Sequence, residues 1–62
     1  MKLKSIIVDD SSMQRMAVAT LVNSHPHLAL VADYSNAIEA KNGLNNHDID
    51  LIFLDVEMPI IS

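Results

Sequence analysis

Three aspartates carry the chemistry that this sequence offers. Asp9 and Asp10 stand side by side in "IIVDDSS", directly after a short apolar run, and Asp55 closes a second apolar run in "LIFLDVEMP". Carboxylates at the ends of separate strands meet only if those strands are neighbours in one sheet. Like charges gathered in that way repel by about 4 kcal/mol per pair at 4 Å and an effective dielectric near 20. Protons, a lysine or a cation must offset that. An all-oxygen donor set favours Mg²⁺, Mn²⁺ or Ca²⁺ over softer metals. A few carboxylates with room for water and phosphate oxygens suit Mg²⁺ best. A carboxylate beside such an ion is also a nucleophile toward a phosphoryl group, and the product is a reversible acyl phosphate. Asp55 follows a stiff apolar strand and is the better nucleophile; the pair Asp9 and Asp10 is better placed to hold metal. The plain alternative is structural. A lone Asp at a strand end ordinarily serves a turn or cap, and an acidic pair before a helix favours its dipole.

The elements that must position these groups follow from the pattern. "KSIIVDD" (4–10) is a β-branched apolar run of the kind buried on both faces of a parallel sheet. "SSMQRMAVATLVNSH" follows, with Ser11 or Ser12 as N-cap. Its apolar stripe is wide: Ala17, Val18, Leu21 and Val22 share one face, and Met13, Met16, Ala17 and Leu21 another. Met13 and Met16 are expected to pack. Pro26 bars further helix. "LALVAD" (28–33) is a second strand. Tyr34 and Ser35 read as turn and cap residues. Asn36 with Glu39 resembles a capping box for a weak second helix, in which Gly43 costs about 1 kcal/mol against alanine. "IDLIFLD" (49–55) is the third strand. Strands alternating with helices imply an α/β unit with a parallel sheet and right-handed crossovers. Strand order 2-1-3 would put the ends of strands 1 and 3 at a topological switch point, where open α/β sheets bind ligands. Asp9, Asp10 and Asp55 would then share one pocket.

Composition sets the limits. The chain has 62 residues, half of them apolar, a net charge of −4 and no cysteine. One domain is the most it can form, and a chain of this size buries only about 60% of its unfolded surface. Disulfides and thiolate metal sites are excluded. Lys2, Lys4, Arg15 and Lys41 are scattered and make no nucleic-acid patch. No apolar run approaches the ~20 residues of a membrane span, and "MKLKSIIVDD" is not a signal peptide. A cytoplasmic location is the expectation.

"IIVDDSS" followed at this spacing by "LIFLDVEMP" resembles the receiver domain of two-component response regulators. The resemblance implies a flavodoxin-like, doubly wound parallel sheet, phosphorylated by a histidine kinase with Mg²⁺ as cofactor. Asp55 then matches the phosphoacceptor. Asp10 matches the direct Mg²⁺ ligand and Asp9 the one that acts mainly through water. Glu57 matches the position whose backbone carbonyl binds the metal and whose side chain tunes dephosphorylation. Met58 and Pro59 match the rim loop. Residues 34–59 look most like regulators with a LytTR-type DNA-binding output. Residues 1–62 cover only the first three strands and two helices, a βαβαβ half that stops in the loop after strand 3. A later Thr/Ser, a switch aromatic and a Lys are expected of the family, and Lys2, Lys4 and Lys41 do not match that Lys. The half is expected to bind Mg²⁺ weakly, to take phosphate poorly and not to signal alone. Its exposed strand 3 edge is expected to drive self-association, strand to strand or by domain swapping.

Other assignments are weaker. His25 and His27 flank Pro26 without a third ligand, and with His47 they read as solvated loop residues. An aspartyl-phosphate phosphatase using Asp55 and Glu57 would carry a D-x-D motif and no acidic pair on an earlier strand. A flavin binder would need a phosphate-cradling loop where "DDSS" stands. The rival outside phosphotransfer is a non-catalytic interaction or oligomerisation module with a structural acidic cluster. No enzymatic activity of its own is expected of this segment.

Overall fold

A computed structural model describes residues 1–45 and 48–55. Five elements follow one another: β1 (Leu3–Val8), α1 (Ser12–Ser24), β2 (Leu28–Tyr34), α2 (Ala37–Leu44) and β3 (Leu51–Leu54). The three strands form one parallel sheet in the order β2-β1-β3, as the alternation of strands and helices predicts.

β1 is the central strand, with β2 on one side and β3 on the other, and its apolar run Ile6–Val8 is buried there. Ser5, Ile6, Ile7 and Val8 are all 2% exposed or less. Ile6 and Val8 form a cluster with Ala40 of α2, backed by Val31, Ala32, Tyr34 and Ile49. The side-chain alternation of a strand sends Ile7 to the opposite face, beside Ala17 and Val18 of α1. Each helix therefore covers one face of the sheet. The pairing of β1 with β3 runs in register from Ser5↔Leu51 to Val8↔Leu54. Ahead of it, Asp50 clamps the strand start: its amide donates to the Lys4 carbonyl, and its Oδ2 accepts from the Lys4 amide, both at 2.8 Å. On the other side, the register with β2 slips by one residue between Ser5 and Ile6, leaving Val31 as the extra residue.

The helices start where side-chain caps allow. Ser11 Oγ accepts from the Gln14 amide at 3.3 Å, and Asn36 Oδ1 from the Glu39 amide at 2.8 Å. The capping box at Asn36 is formed in one direction only. Glu39 turns its carboxylate to the Ser35 hydroxyl instead, at 3.3 Å.

Two packing expectations are corrected. α1 buries the face of Val18, Ala19 and Val22, and Met13 and Met16 lie on the opposite face, 81% and 70% exposed. A wide apolar stripe fits a sheet by either side, and here the branched and small residues take the contact. Tyr34 is no turn residue: it ends β2 and packs on the core cluster. Its phenol lies over Gly43, where a Cβ would collide with the ring. Glycine inside α2 is thus the residue that lets Tyr34 lie flat against the helix. His25 and His27 are exposed and serve the turn, the Nδ1 of His25 accepting from the His27 amide at 3.1 Å; His47 lies outside the described residues. No helix among the described residues is long and apolar enough to cross a membrane.

Candidate functional site

The carboxyl ends of β1 and β3 place the acidic groups. The Asp9 amide donates to the Tyr34 carbonyl at 3.0 Å, extending the ladder to β2, and the Asp55 amide donates to the Val8 carbonyl at 3.1 Å, extending the ladder to β1. Hydrogen-bonded backbone thus holds both residues one step beyond their strands. Asp10 follows Asp9 into the turn toward α1. The result is a cluster in which one carboxylate oxygen from each of Asp9, Asp10 and Asp55 lies within 4.8 Å of the other two. An adjacent acidic pair and a third carboxylate distant in sequence therefore meet at the switch point of the sheet, as strand order 2-1-3 requires.

The three differ in burial, and that divides their capacities. Asp9 is 6% exposed. Its Oδ1 accepts from the Ser11 amide at 2.9 Å, which fixes the carboxylate in the turn. Asp55 is half-buried and Asp10 exposed. Two anionic groups at 4.8 Å repel by about 3 kcal/mol at an effective dielectric near 20, and by less where water screens Asp10. The N-terminus of α1, which starts at Ser12, faces this negative charge and offsets part of it.

The donor set fits a hard divalent ion. All donors are carboxylate oxygens, one side of the cluster is open to water through Asp10, and the spread is close to the ~4 Å between opposite ligands of an octahedral Mg²⁺ shell. From the cluster a groove of about 450 Å³ runs between α1 and β3, past Ile7 and Phe53 to Ala17 and Val18. Its walls are mostly apolar, so the charged groups of this region are gathered at the acidic end. Glu57, expected to offer its backbone carbonyl to the metal, and Met58 and Pro59, expected at the rim, lie outside the described residues.

One neighbour of the site escaped the sequence reading. Arg15 had counted only as one of four scattered cations. In the structure its Nη1 donates to the Asp9 carbonyl at 2.7 Å and its Nε to Asp33 Oδ1 at 2.9 Å. The available signal was its helical phase: Arg15 shares the face of Val18 and Val22, which turns toward the sheet.

Comparison with known proteins gives one family. The family model described as "Response regulator receiver domain" matches residues 6–62. A protein-glutamate methylesterase/protein-glutamine glutaminase of Bordetella pertussis is 38% identical over 58 residues, covering 94% of this chain and 17% of that protein. Proteins of the same description from Shewanella oneidensis (39% over 59 residues) and Methanosarcina acetivorans (34% over 59 residues) each match 95% of this chain and 17% of their own length. The chain thus spans about one sixth of the length of these relatives. They do not support the LytTR-type assignment of residues 34–59, because the shared description is a methylesterase and not a DNA-binding regulator. No solved structure matches the chain significantly.

Proposed function

Since this chain belongs to the response regulator receiver domain family, we propose that it is the phosphoacceptor module of a two-component regulator and that Asp55 takes the phosphoryl group. The observation that carries the reading is the meeting of Asp9, Asp10 and Asp55 within 4.8 Å at the ends of adjacent strands. Asp9, Asp10 and Asp55 would hold Mg²⁺, with the Glu57 backbone carbonyl as a further ligand. Bound there, the ion supplies positive charge to the equatorial oxygens of a transferring phosphoryl group.

The rest is done by the chain's own groups. Asp55, fixed by the hydrogen bond its amide donates to the Val8 carbonyl, presents a carboxylate oxygen in line with the donor. The new bond joins that oxygen to phosphorus while the phosphorus–nitrogen bond of a kinase phosphohistidine breaks, and the electron pair stays on the imidazole nitrogen. Buried Asp9 orients the turn, and exposed Asp10 faces the solvent from which metal and donor arrive. The histidine kinase is the partner, in a cytoplasmic setting, and the segment itself contributes no enzyme activity. A methylesterase-type output fits the named relatives better than a LytTR-type one. The test is intact-mass analysis after incubation with acetyl phosphate and Mg²⁺. A minor fraction of the wild-type chain is expected to carry one phosphoryl group and none of Asp55→Asn; incorporation that survives Asp55→Asn removes the assignment.

A second reading, of the 62-residue chain as a self-associating unit, is favoured by β3. Among the described residues its only strand partner is β1, and Leu51, Ile52 and Leu54 are exposed. Pairing of this edge with that of a second copy predicts a concentration-dependent dimer in sedimentation equilibrium, which Leu54→Lys abolishes. A monomer at all concentrations counts against it.

A further inference from the structure

The geometry points to Arg15 as a positioning residue that sets the direction of the acidic pair through the Asp9 carbonyl, with Asp33 holding the guanidinium in place. This rests on the metal-site reading given above.

Asp9 is fixed at three points. Its amide is bonded to Tyr34, its Oδ1 receives the Ser11 amide, and its carbonyl receives Arg15 Nη1 at 2.7 Å. The first two set Asp9 itself. The third acts on the peptide plane that joins Asp9 to Asp10, so it fixes where the exposed Asp10 carboxylate leaves the backbone. Arg15 is rigidly placed for this: it lies in the first turn of α1, its amide donating to the Ser11 carbonyl at 2.9 Å. The loop from Asp9 to Arg15 is therefore closed by side-chain and backbone bonds on both sides.

The charge arrangement has the same sense. A guanidinium this close to three carboxylates would compete with a divalent ion if it turned into the cluster. It does not turn, because Nε is engaged by Asp33, near the carboxyl end of β2, on the side of β1 away from β3. The Arg15–Asp33 pair stands on the β2 side of β1, and Asp55 approaches from the β3 side. Arg15 reaches the site only through a backbone carbonyl, and its charge is matched by Asp33. A planar fork that spans two acceptors at once is a task for arginine, not lysine.

The sign of one effect separates positioning from plain electrostatics. Removing a positive charge beside an anionic site strengthens cation binding by Coulomb's law. Removing a positioning strut weakens it, and outer-shell changes typically cost 10–100-fold in metal affinity. Titration of the full chain with Mg²⁺ by calorimetry, well below its melting temperature, is the experiment, with circular dichroism confirming the fold. Arg15→Met is expected to bind Mg²⁺ about tenfold more weakly, and Arg15→Lys to recover little of the loss. Asp33→Ala should weaken binding too, and the double variant should be no worse than Arg15→Met alone. Equal or tighter binding by Arg15→Met overturns the positioning role while leaving the metal site standing. Should Arg15→Met fail to fold, wild-type affinity in Arg15→Lys overturns it equally. A wild-type chain that binds no Mg²⁺ removes the metal site, and the positioning role with it.

Discussion

β1 and β3 look alike as sequences and behave differently as structure. Each is a short apolar run that ends in aspartate, "SIIVD" and "LIFLD". In β1 the run is buried to within 2% of exposure, whereas Leu51, Ile52 and Leu54 of β3 retain 37%, 44% and 56%. The difference lies in the neighbours. β1 has a strand on each side and a helix over each face; among the described residues β3 has one strand partner, β1. Hydrophobicity marked both as strands, but position in the sheet decides which becomes the core. The aspartates follow suit: Asp9 is buried and hydrogen-bonded into its turn, and Asp55 stands half-buried. The central strand thus supplies both the most buried carboxylate, Asp9, and, one residue on in the turn, the most exposed, Asp10, and Asp55 from the outer strand lies between them in burial.

The comparison breaks if the two strands respond alike to truncation. Ile6→Ala should cost about 2–5 kcal/mol, as buried large-to-small changes do, enough to unfold most molecules of so small a domain. Ile52→Ala should cost well under that, about 1 kcal/mol or less, because the side chain has little burial to lose. Urea denaturation of both variants checks the order; equal losses would mean that β3 is as central as β1. A smaller effect tests the other flank of the core. By helix propensity alone Gly43→Ala should stabilise α2 by about 1 kcal/mol. Because the Tyr34 ring occupies the place of the new Cβ, the expected outcome is a net loss of about 1–2 kcal/mol, read as a lower melting temperature. The smallest effect sharpens the contrast at the site. Asp10→Asn relieves like-charge repulsion at an exposed position, so without divalent metal it should raise stability by less than about 1 kcal/mol. With saturating Mg²⁺ the sign should reverse, since the wild-type chain gains binding energy that the variant lacks.

Much of this architecture was legible beforehand, and for identifiable reasons. Uninterrupted apolar runs, a Ser cap at residue 11 and an Asn cap at 36, and Pro26 after the first helix are local signals, and they place five elements in order. Crossover handedness and switch-point logic then bring Asp9, Asp10 and Asp55 together without any coordinates. What escaped was set by tertiary choice. The stripe of α1 is apolar on more than one side, so its pattern does not say that Val22 is buried, Val18 half-buried and Met13 and Met16 exposed. The slip at Val31 depends on packing between strands. Gly43 looks like a defect until Tyr34 is seen over it. Arg15 looks like a surface charge until its two acceptors, one a backbone carbonyl, are known. Even the family's outline was clear from "IIVDDSS" and "LIFLDVEMP", whereas the LytTR-type subfamily leaned on a stretch with little chemistry in it.

In the proposed site, side chains from the ends of two adjacent strands share one divalent ion. Mn²⁺ in place of Mg²⁺ makes that visible, because its unpaired electrons broaden nearby amide resonances in an ¹⁵N-labelled chain. At substoichiometric Mn²⁺ the amides of Asp9, Asp10 and Asp55 should broaden together and first, ahead of the amides of other acidic residues such as Asp33 and Asp50, and excess Mg²⁺ should restore them. Broadening at Asp9 and Asp10 that leaves Asp55 sharp would contradict the account.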